Sequence, residues 1–445
     1  MNNLPEIFYN ENKSIKITIG KENLVFAPPI NEASKKWGVY AIPRMWRDAT
    51  GKLIIRFNGE IDSGDTDHML VAPNLFFTSD DDGKTWYFDK NGEEKYSIDI
   101  FSGLDKQYIK LDDSRTIAFR EKACRNAIEG VLHQKEFIMP NGEALVYSYR
   151  YGDIPNECKG LERLTFSTSG KLIDIAESRI EFDEREILIN AKGFNFKEKK
   201  YVDVKKSVKQ CIFKNTYILS VTLLPDGVLG AIACGQNPDC YDHYNGVVYF
   251  LESTDEGKTW KKRSVIAKSE KLPYGYSGDG HEVSLARTLD NTLICVMRMD
   301  MSINPNVATP ICDAMLSISK DNGHSWCEPF PVADSSVTPH VISLENGVVV
   351  LVYGRPGVHF KYSVDNGKTW SKSYSIIGRT LDEYRKNGIS DVNSKYSDSC
   401  SYSNTFVETL NKDTFLVLYN NLKYKGNGGE YHKAAFVREI KIERE

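Results

Sequence analysis

The sequence predicts an all-β fold, a six-bladed β-propeller, and three observations predict it. The 445 residues include 24 Tyr, 20 Phe and 6 Trp, with 32 Gly against 16 Pro. That balance favours strands and tight turns. An octapeptide, S-x-D-x-G-x-[ST]-W, occurs four times. A turn carrying Gly, Asp or Asn and leading into an apolar run occurs six times.

The octapeptides run from Ser79 to Trp86, Ser253 to Trp260, Ser319 to Trp326 and Ser363 to Trp370. Their chemistry is structural. The Asp accepts hydrogen bonds from the turn's own N–H groups, and the Gly supplies a positive φ. Ser or Thr ties the loop ends, and the Trp plugs the hairpin into the core. A turn that recurs four times is a staple, because one active site cannot use four copies.

The six hairpins follow in order. Asp48-Ala49-Thr50-Gly51 leads into Leu53-Ile54-Ile55, Pro140-Asn141-Gly142 into Ala144-Leu145-Val146, and Pro225-Asp226-Gly227 into Val228-Leu229. Asp290-Asn291 leads into Leu293 to Val296, Glu345-Asn346-Gly347 into Val348 to Val352, and Lys412-Asp413 into Phe415 to Leu418. Each also follows an apolar stretch, so each reads as a hairpin. From Gly51 through Gly142, Gly227, Asn291 and Gly347 to Asp413 the intervals are 91, 85, 64, 56 and 66 residues. A four-stranded blade needs roughly 40–50, so insertions fall in the first half. With no Ser/Gly/Pro-rich linker, residues 1–445 read as one domain: blades over roughly 38–440 and a short N-terminal extension, 1–37. The lysine-rich run from Lys197 to Lys206 reads as a solvated edge or loop.

Net charge is −4, so no global field recruits nucleic acid or an anionic membrane. The nine cysteines form no C-x-x-C pair and read as scattered reduced thiols. His281 and His340 lack the spacing of a metal site; neither metal nor cofactor is expected. The start, Met1-Asn2-Asn3-Leu4-Pro5-Glu6, has no secretory signal pattern, which gives a cytoplasmic expectation. The oligomeric state is not legible.

Hairpin geometry brings the candidate site together. The start of a blade's first strand and the end of its second lie at the same end of the hairpin. This sets Glu282 beside Arg298, His340 beside Arg355, Tyr402 beside Tyr419-Asn420, and Tyr217 beside Gln236. Arg150 follows the second hairpin; Arg44 and Glu60 belong to the first. The result is a polar, convergent mouth.

These residues, with the four octapeptides, resemble the sialidase (neuraminidase) superfamily of Asp-box six-bladed propellers. Glu282-Val283-Ser284-Leu285 through Arg298 looks like the segment that carries its glutamate base and one arginine of its carboxylate clamp. Tyr353-Gly354-Arg355-Pro356-Gly357 sits where another clamp arginine is expected. Ser401-Tyr402-Ser403-Asn404 is similar to its nucleophilic tyrosine motif. The resemblance places the acid on the loop Asp62 to His68, as Asp65 or Asp67. It implies a retaining exo-glycosidase acting on a terminal acidic sugar of a glycan. Substrate contacts would come from Arg298, Arg355, Arg44, Arg150, Gln236, His340 and Tyr276. A neutral tyrosine avoids repulsion from a substrate carboxylate and needs a base because its pKa is near 10. One departure stands out: in Tyr40-Ala41-Ile42-Pro43-Arg44, Ala41 occupies the family's first clamp-arginine slot. Losing that partner weakens sialate binding by about 2–5 kcal/mol. A lyase or another glycosidase on uronate-containing glycans, and a non-catalytic glycan-binding propeller, are the other readings.

Overall fold

The computed structural model describes residues 4–27, 37–39, 44–47, 51–62, 74–90, 137–151, 158–167, 172–181, 186–195, 200–209, 217–236, 246–268, 282–299, 313–334, 337–354, 357–378, 402–426 and 428–444. Among them every regular element is a strand. The chain starts with β1 (Glu6–Tyr9) and β2 (Ile15–Phe26). A first meander holds β3 (Trp37–Val39), β4 (Arg44–Arg47), β5 (Leu53–Ile61), β6 (Asn74–Ser79) and β7 (Tyr87–Phe88). A second holds β8 (Phe137–Ile138), β9 (Ala144–Tyr151), β10 (Cys158–Phe166) and β11 (Leu172–Glu181). An inserted ribbon, β12 (Glu186–Asn195) with β13 (Lys200–Lys209), follows. A third meander holds β14 (Tyr217–Leu223), β15 (Leu229–Gln236), β16 (Gly246–Ser253) and β17 (Thr259–Lys268). A fourth holds β18 (Val283–Arg287), β19 (Leu293–Met297), β20 (Ala314–Ser319) and β21 (Phe330–Ala333). A fifth holds β22 (Val337–Ser343), β23 (Val349–Gly354), β24 (Val358–Ser363) and β25 (Tyr374–Ile377). The chain ends with β26 (Tyr402–Asn411), β27 (Thr414–Lys425) and β28 (Tyr431–Arg444).

Residues 6–26, set aside by the sequence as an extension, are part of a sheet. The order is β1-β2-β28-β27-β26, with Ile15 opposite Arg444 and Phe26 opposite Ala435. The two ends of the chain thus close one sheet. The ribbon β12–β13 forms a two-stranded sheet of its own and accounts for part of the long second interval. A parallel pairing, Arg179 opposite Thr259, fuses the second and third meanders into one eight-stranded sheet. Five of the hairpin markers, Gly51, Gly142, Gly227, Asn291 and Gly347, adopt φ between 67° and 85°. That is the left-handed region their turns require.

Alternation along each strand splits the core between neighbouring sheets. On β23, Val349, Leu351 and Tyr353 pack with Ile294 and Leu316 of the fourth meander. Val350 and Val352, on the other face, pack with Phe415 and Phe436 of the last sheet. Leu416 and Ala435 pack with Leu53 and Phe77 of the first meander. The third meander shares a core with Leu145 and Tyr147 on one side and Leu293 and Met315 on the other. Each fully buried side chain of this size contributes about 1.5–3 kcal/mol. Cys234 and Cys295 are buried in this core, outside any disulfide. One edge strand from each meander meets the next, in the order β4, β26, β22, β18, β14, β8.

Candidate active site

The groove lies between four of these edge strands, β14, β18, β22 and β26. Its cavity volume is ≈ 240 Å³, and it is walled by Ser220 of β14, Glu282 and Ser284, Thr338 and His340, and Phe406 of β26. Four sheets therefore contribute to it. Ser284 bridges two of them by accepting from Val341 N–H at 3.0 Å.

Glu282 and Arg298 flank the β18–β19 hairpin and meet as hairpin geometry requires. The Arg298 N–H donates to the Glu282 carbonyl at 3.0 Å. Arg298 Nη1 stands 2.6 Å from Glu282 Oε1, with side chains 23% and 13% exposed. Such a charge-assisted pair fixes both heads at the rim. The second carboxylate oxygen, Oε2, accepts from the Thr338 N–H at 2.6 Å. His340 gives Nε2 to the Thr405 carbonyl at 2.7 Å, and its ring packs on Phe406 with centroids 5.5 Å apart.

Tyr402 opens β26 opposite Asn421, one residue beyond the Tyr419-Asn420 position expected. Two of the expected side-by-side pairs are out of register. Val337, and not His340, lies opposite Gly354, so His340 sits deeper, opposite Val352. His340 follows an unbroken ladder from the Ser343–Val349 pair. The bulge at Thr338-Pro339, where two residues oppose one, lies beyond it and moves only the partner of Gly354, to Val337. Tyr217 lies opposite Cys234, two residues short of Gln236, where a bulge at Leu219 shifts the ladder. For Arg44, Arg150 and Gln236 the backbone is placed in β4, β9 and β15, with Arg44 opposite Arg56 and Arg150 opposite Gly160. Asp65, Asp67, Tyr276, Arg355 and Ala41 lie outside the described residues.

Asp62 is engaged elsewhere. Its side chain is 5% exposed; Oδ2 meets His432 Nδ1 at 2.8 Å, and Oδ1 accepts from the Lys433 N–H at 2.9 Å. This carboxylate pins the end of β5 to β28. The sequence did not point to His432, Thr338 or Thr405, because no local pattern marks contacts between residues more than 50 apart. Among the described residues, no group of three or more His, Cys, Asp or Glu side chains is arranged to hold a metal ion.

The octapeptide aspartates serve their own turns. In the first turn Asp81 Oδ1 accepts from the N–H groups of Lys84 and Thr85 at 3.1 and 2.9 Å. Burial pushes the Asp81 pKa up, but hydrogen bonds from Thr85, Ser79 and Lys84 outweigh it and bring it to about 2. At Asp321 burial is likewise outweighed, by Ser325 and Ser319, again to about 2.

The BNR/Asp-box repeat model matches residues 361–372, which contain the fourth octapeptide. No protein with a curated description matches the chain in sequence. A protein of unknown function from Dyadobacter fermentans has a similar structure at 15% identity, covering 96% of this chain and 99% of that one, with a TM-score of 0.54. At that identity the likeness concerns the fold. The alpha-L-arabinanase of Penicillium chrysogenum reaches a TM-score of 0.48 at 12% identity over 94% and 98% of the two chains. The NanB sialidase of Streptococcus pneumoniae reaches 0.44 at 12% identity over 94% and 70%. The chain is an all-β protein that carries the BNR/Asp-box repeat.

Proposed function

We propose that the meanders close into a six-bladed propeller and that the chain is a glycoside hydrolase acting at the groove mouth. The contact order from β4 through β26, β22, β18 and β14 to β8 supports the ring, with the junction of the first and second meanders completing it. The observation that carries the functional reading is Glu282, held at the rim by Arg298 and by the Thr338 N–H. Tyr402 begins β26, the edge strand of the next sheet but one, beyond β22.

The substrate in this reading is a terminal acidic sugar, sialic acid or a related one. Tyr402 attacks the anomeric carbon while Glu282 takes the phenolic proton. Asp65 or Asp67 protonates the departing glycosidic oxygen, then draws a proton from the water that releases the sugar with retained configuration. Arg298 and Arg355 bind the sugar carboxylate, and Arg44, Arg150, Gln236, His340 and Tyr276 contact the rest. Asp62, engaged by His432 and Lys433, leaves the acid role to Asp65 or Asp67.

A panel of aryl glycosides tests this. Release of aryl alcohol from a sialoside, lost at least about 10³-fold in Tyr402→Phe and Glu282→Ala, is the expected result, following the scale for removing a nucleophile or its base. Turnover that persists unchanged in both variants overturns the mechanism. Turnover of an arabinofuranoside instead of the sialoside overturns the acidic-sugar assignment.

A further inference from the structure

Two adjacent edge strands, β22 and β26, carry bulges that face each other, and the one in β22 meets Glu282. In β22, Thr338 and Pro339 together face Tyr353, between the pairs Val337–Gly354 and His340–Val352. In β26, Asn404 and Thr405 together face Tyr419, between Ser403–Asn420 and Phe406–Leu418. Bulges re-aim groups out of the ladder. Here each re-aimed segment meets the other. The Thr405 N–H donates to Thr338 Oγ1 at 3.1 Å, and Thr405 Oγ1 donates to the Thr338 carbonyl at 2.9 Å. The Thr405 carbonyl takes the His340 bond at 2.7 Å. Both threonines are buried, at 5% and 3% exposure.

Thr338 also has φ +45°. A β-branched residue in the left-handed region is a strained outlier that persists only where its surroundings impose it. The strain has a visible consequence. It turns the Thr338 N–H away from β23 and onto Glu282 Oε2 at 2.6 Å. A threonine locked in a regular strand would spend that donor on the ladder.

We propose that Thr338 and Thr405 are positioning residues for Glu282. Thr405, three residues after Tyr402 on the same strand, holds Thr338 in its strained conformation. Thr338 in turn sets the carboxylate's orientation relative to that strand. This inference rests on the reading of Glu282 as the base, and its structural half can be measured without any substrate.

Thr405→Val keeps the side-chain shape and removes the hydroxyl; Thr405→Ser keeps the hydroxyl. With the glycoside the wild-type chain turns over, Thr405→Val should lower kcat at least about tenfold with KM within about twofold, as misplacing a reacting group does. Thr405→Ser should restore most of the rate. Hydrogen exchange at the Thr338 amide should quicken in Thr405→Val and in Glu282→Ala, and stay slow in Thr405→Ser. If Thr405→Val does not fold, Thr338→Ala, which removes Oγ1 and keeps the N–H, carries the same expectation. Wild-type kcat in the folded variant, or an amide still protected in both Thr405→Val and Glu282→Ala, overturns the proposal. If the wild-type chain hydrolyses no glycoside, the proposed function falls, and the exchange result alone decides whether Thr405 and Thr338 hold Glu282.

Discussion

The four octapeptide turns are locally alike and dock differently. In each, the Ser hydroxyl accepts from the Gly N–H, at 2.8–2.9 Å, and positions four and five both take positive φ. In the turns at 79–86 and 363–370 the Trp indole N–H closes onto its own Gly carbonyl, at 3.0 Å for both Trp86 and Trp370. In the turns at 253–260 and 319–326 the neighbouring meander takes that carbonyl. Ser178 Oγ donates to Gly257 O at 2.7 Å and Ser264 Oγ to Gly323 O at 2.5 Å. One residue earlier, Arg163 Nη1 donates to Glu256 O at 2.9 Å and Arg263 Nη1 to Asn322 O at 2.6 Å. Trp326 then turns its N–H to Ser264 Oγ at 3.1 Å. Trp260 is fully buried, and its Nε1 has no hydrogen-bond partner among the described residues. The same eight residues thus act as a closed staple in two places and as a plug between meanders in the other two.

The largest expected effect comes from crowding the plugged turns. A Cβ at Gly257 would collide with Tyr147 Oη, and one at Gly323 with the Phe250 ring, both at positive φ. Gly257→Ala and Gly323→Ala should each cost about 3–5 kcal/mol, combining a left-handed penalty with overpacking. Gly83 and Gly367, whose nearest neighbours are leucine and isoleucine methyls at 2.9 and 2.7 Å, should lose less. Gly51, with nothing within 4 Å, should lose about 1–2 kcal/mol, the left-handed cost alone. Denaturant unfolding measures the series, and equal losses at all five would erase the distinction.

Next come the arginines. The Arg263 side chain is 5% exposed and holds Glu252 as well as Asn322 O; Arg163 holds Asp174 beside Glu256 O. Arg263→Ala and Arg163→Ala should cost about 1.5–3 kcal/mol, because each removes a buried guanidinium that bonds both a carboxylate and a turn carbonyl. Ser264→Ala removes two bonds and should cost about 1–2 kcal/mol. An unchanged melting midpoint in Ser264→Ala would show that Trp326 can close on its own turn as Trp86 does.

The smallest effect is the acid response. Asp81 and Asp321 titrate at about 2 in the folded chain, each held there against burial by the hydrogen bonds of its own turn. Because the folded-state value is depressed, this stabilisation is complete above the ordinary carboxylate value of 3.8. It is lost as pH falls toward about 2. Asp321→Asn should flatten that part of the stability–pH curve, read by melting between about pH 5 and pH 2. A curve identical to wild type would mean that the turn does not favour the ionised form.

Much of the fold was legible because its signals are local. The octapeptide specifies a turn through bonds that span four residues, such as Thr85 N–H to Asp81 Oδ1, and hairpin markers need only a positive φ. Glu282 and Arg298 were legible for the same reason: a short hairpin fixes both of its ends. The register at Tyr217 and Gln236 was only partly so, because the bulge at Leu219 adds one residue without leaving a mark in the apolar alternation. The N-terminal strand β2 was not, since its partner β28 lies at the far end of the chain.

The sequence by itself determined the all-β character, the four repeated turns and the pairing of Glu282 with Arg298, all of which depend on neighbours close along the chain. Only the tertiary structure decided which octapeptides serve as plugs, that Asp62 is spent on His432, and that Thr405 reaches Thr338 and through it Glu282. Those contacts join residues 56 to 370 positions apart, and their partners are chosen by how sheets pack against one another, a choice that no local spacing encodes.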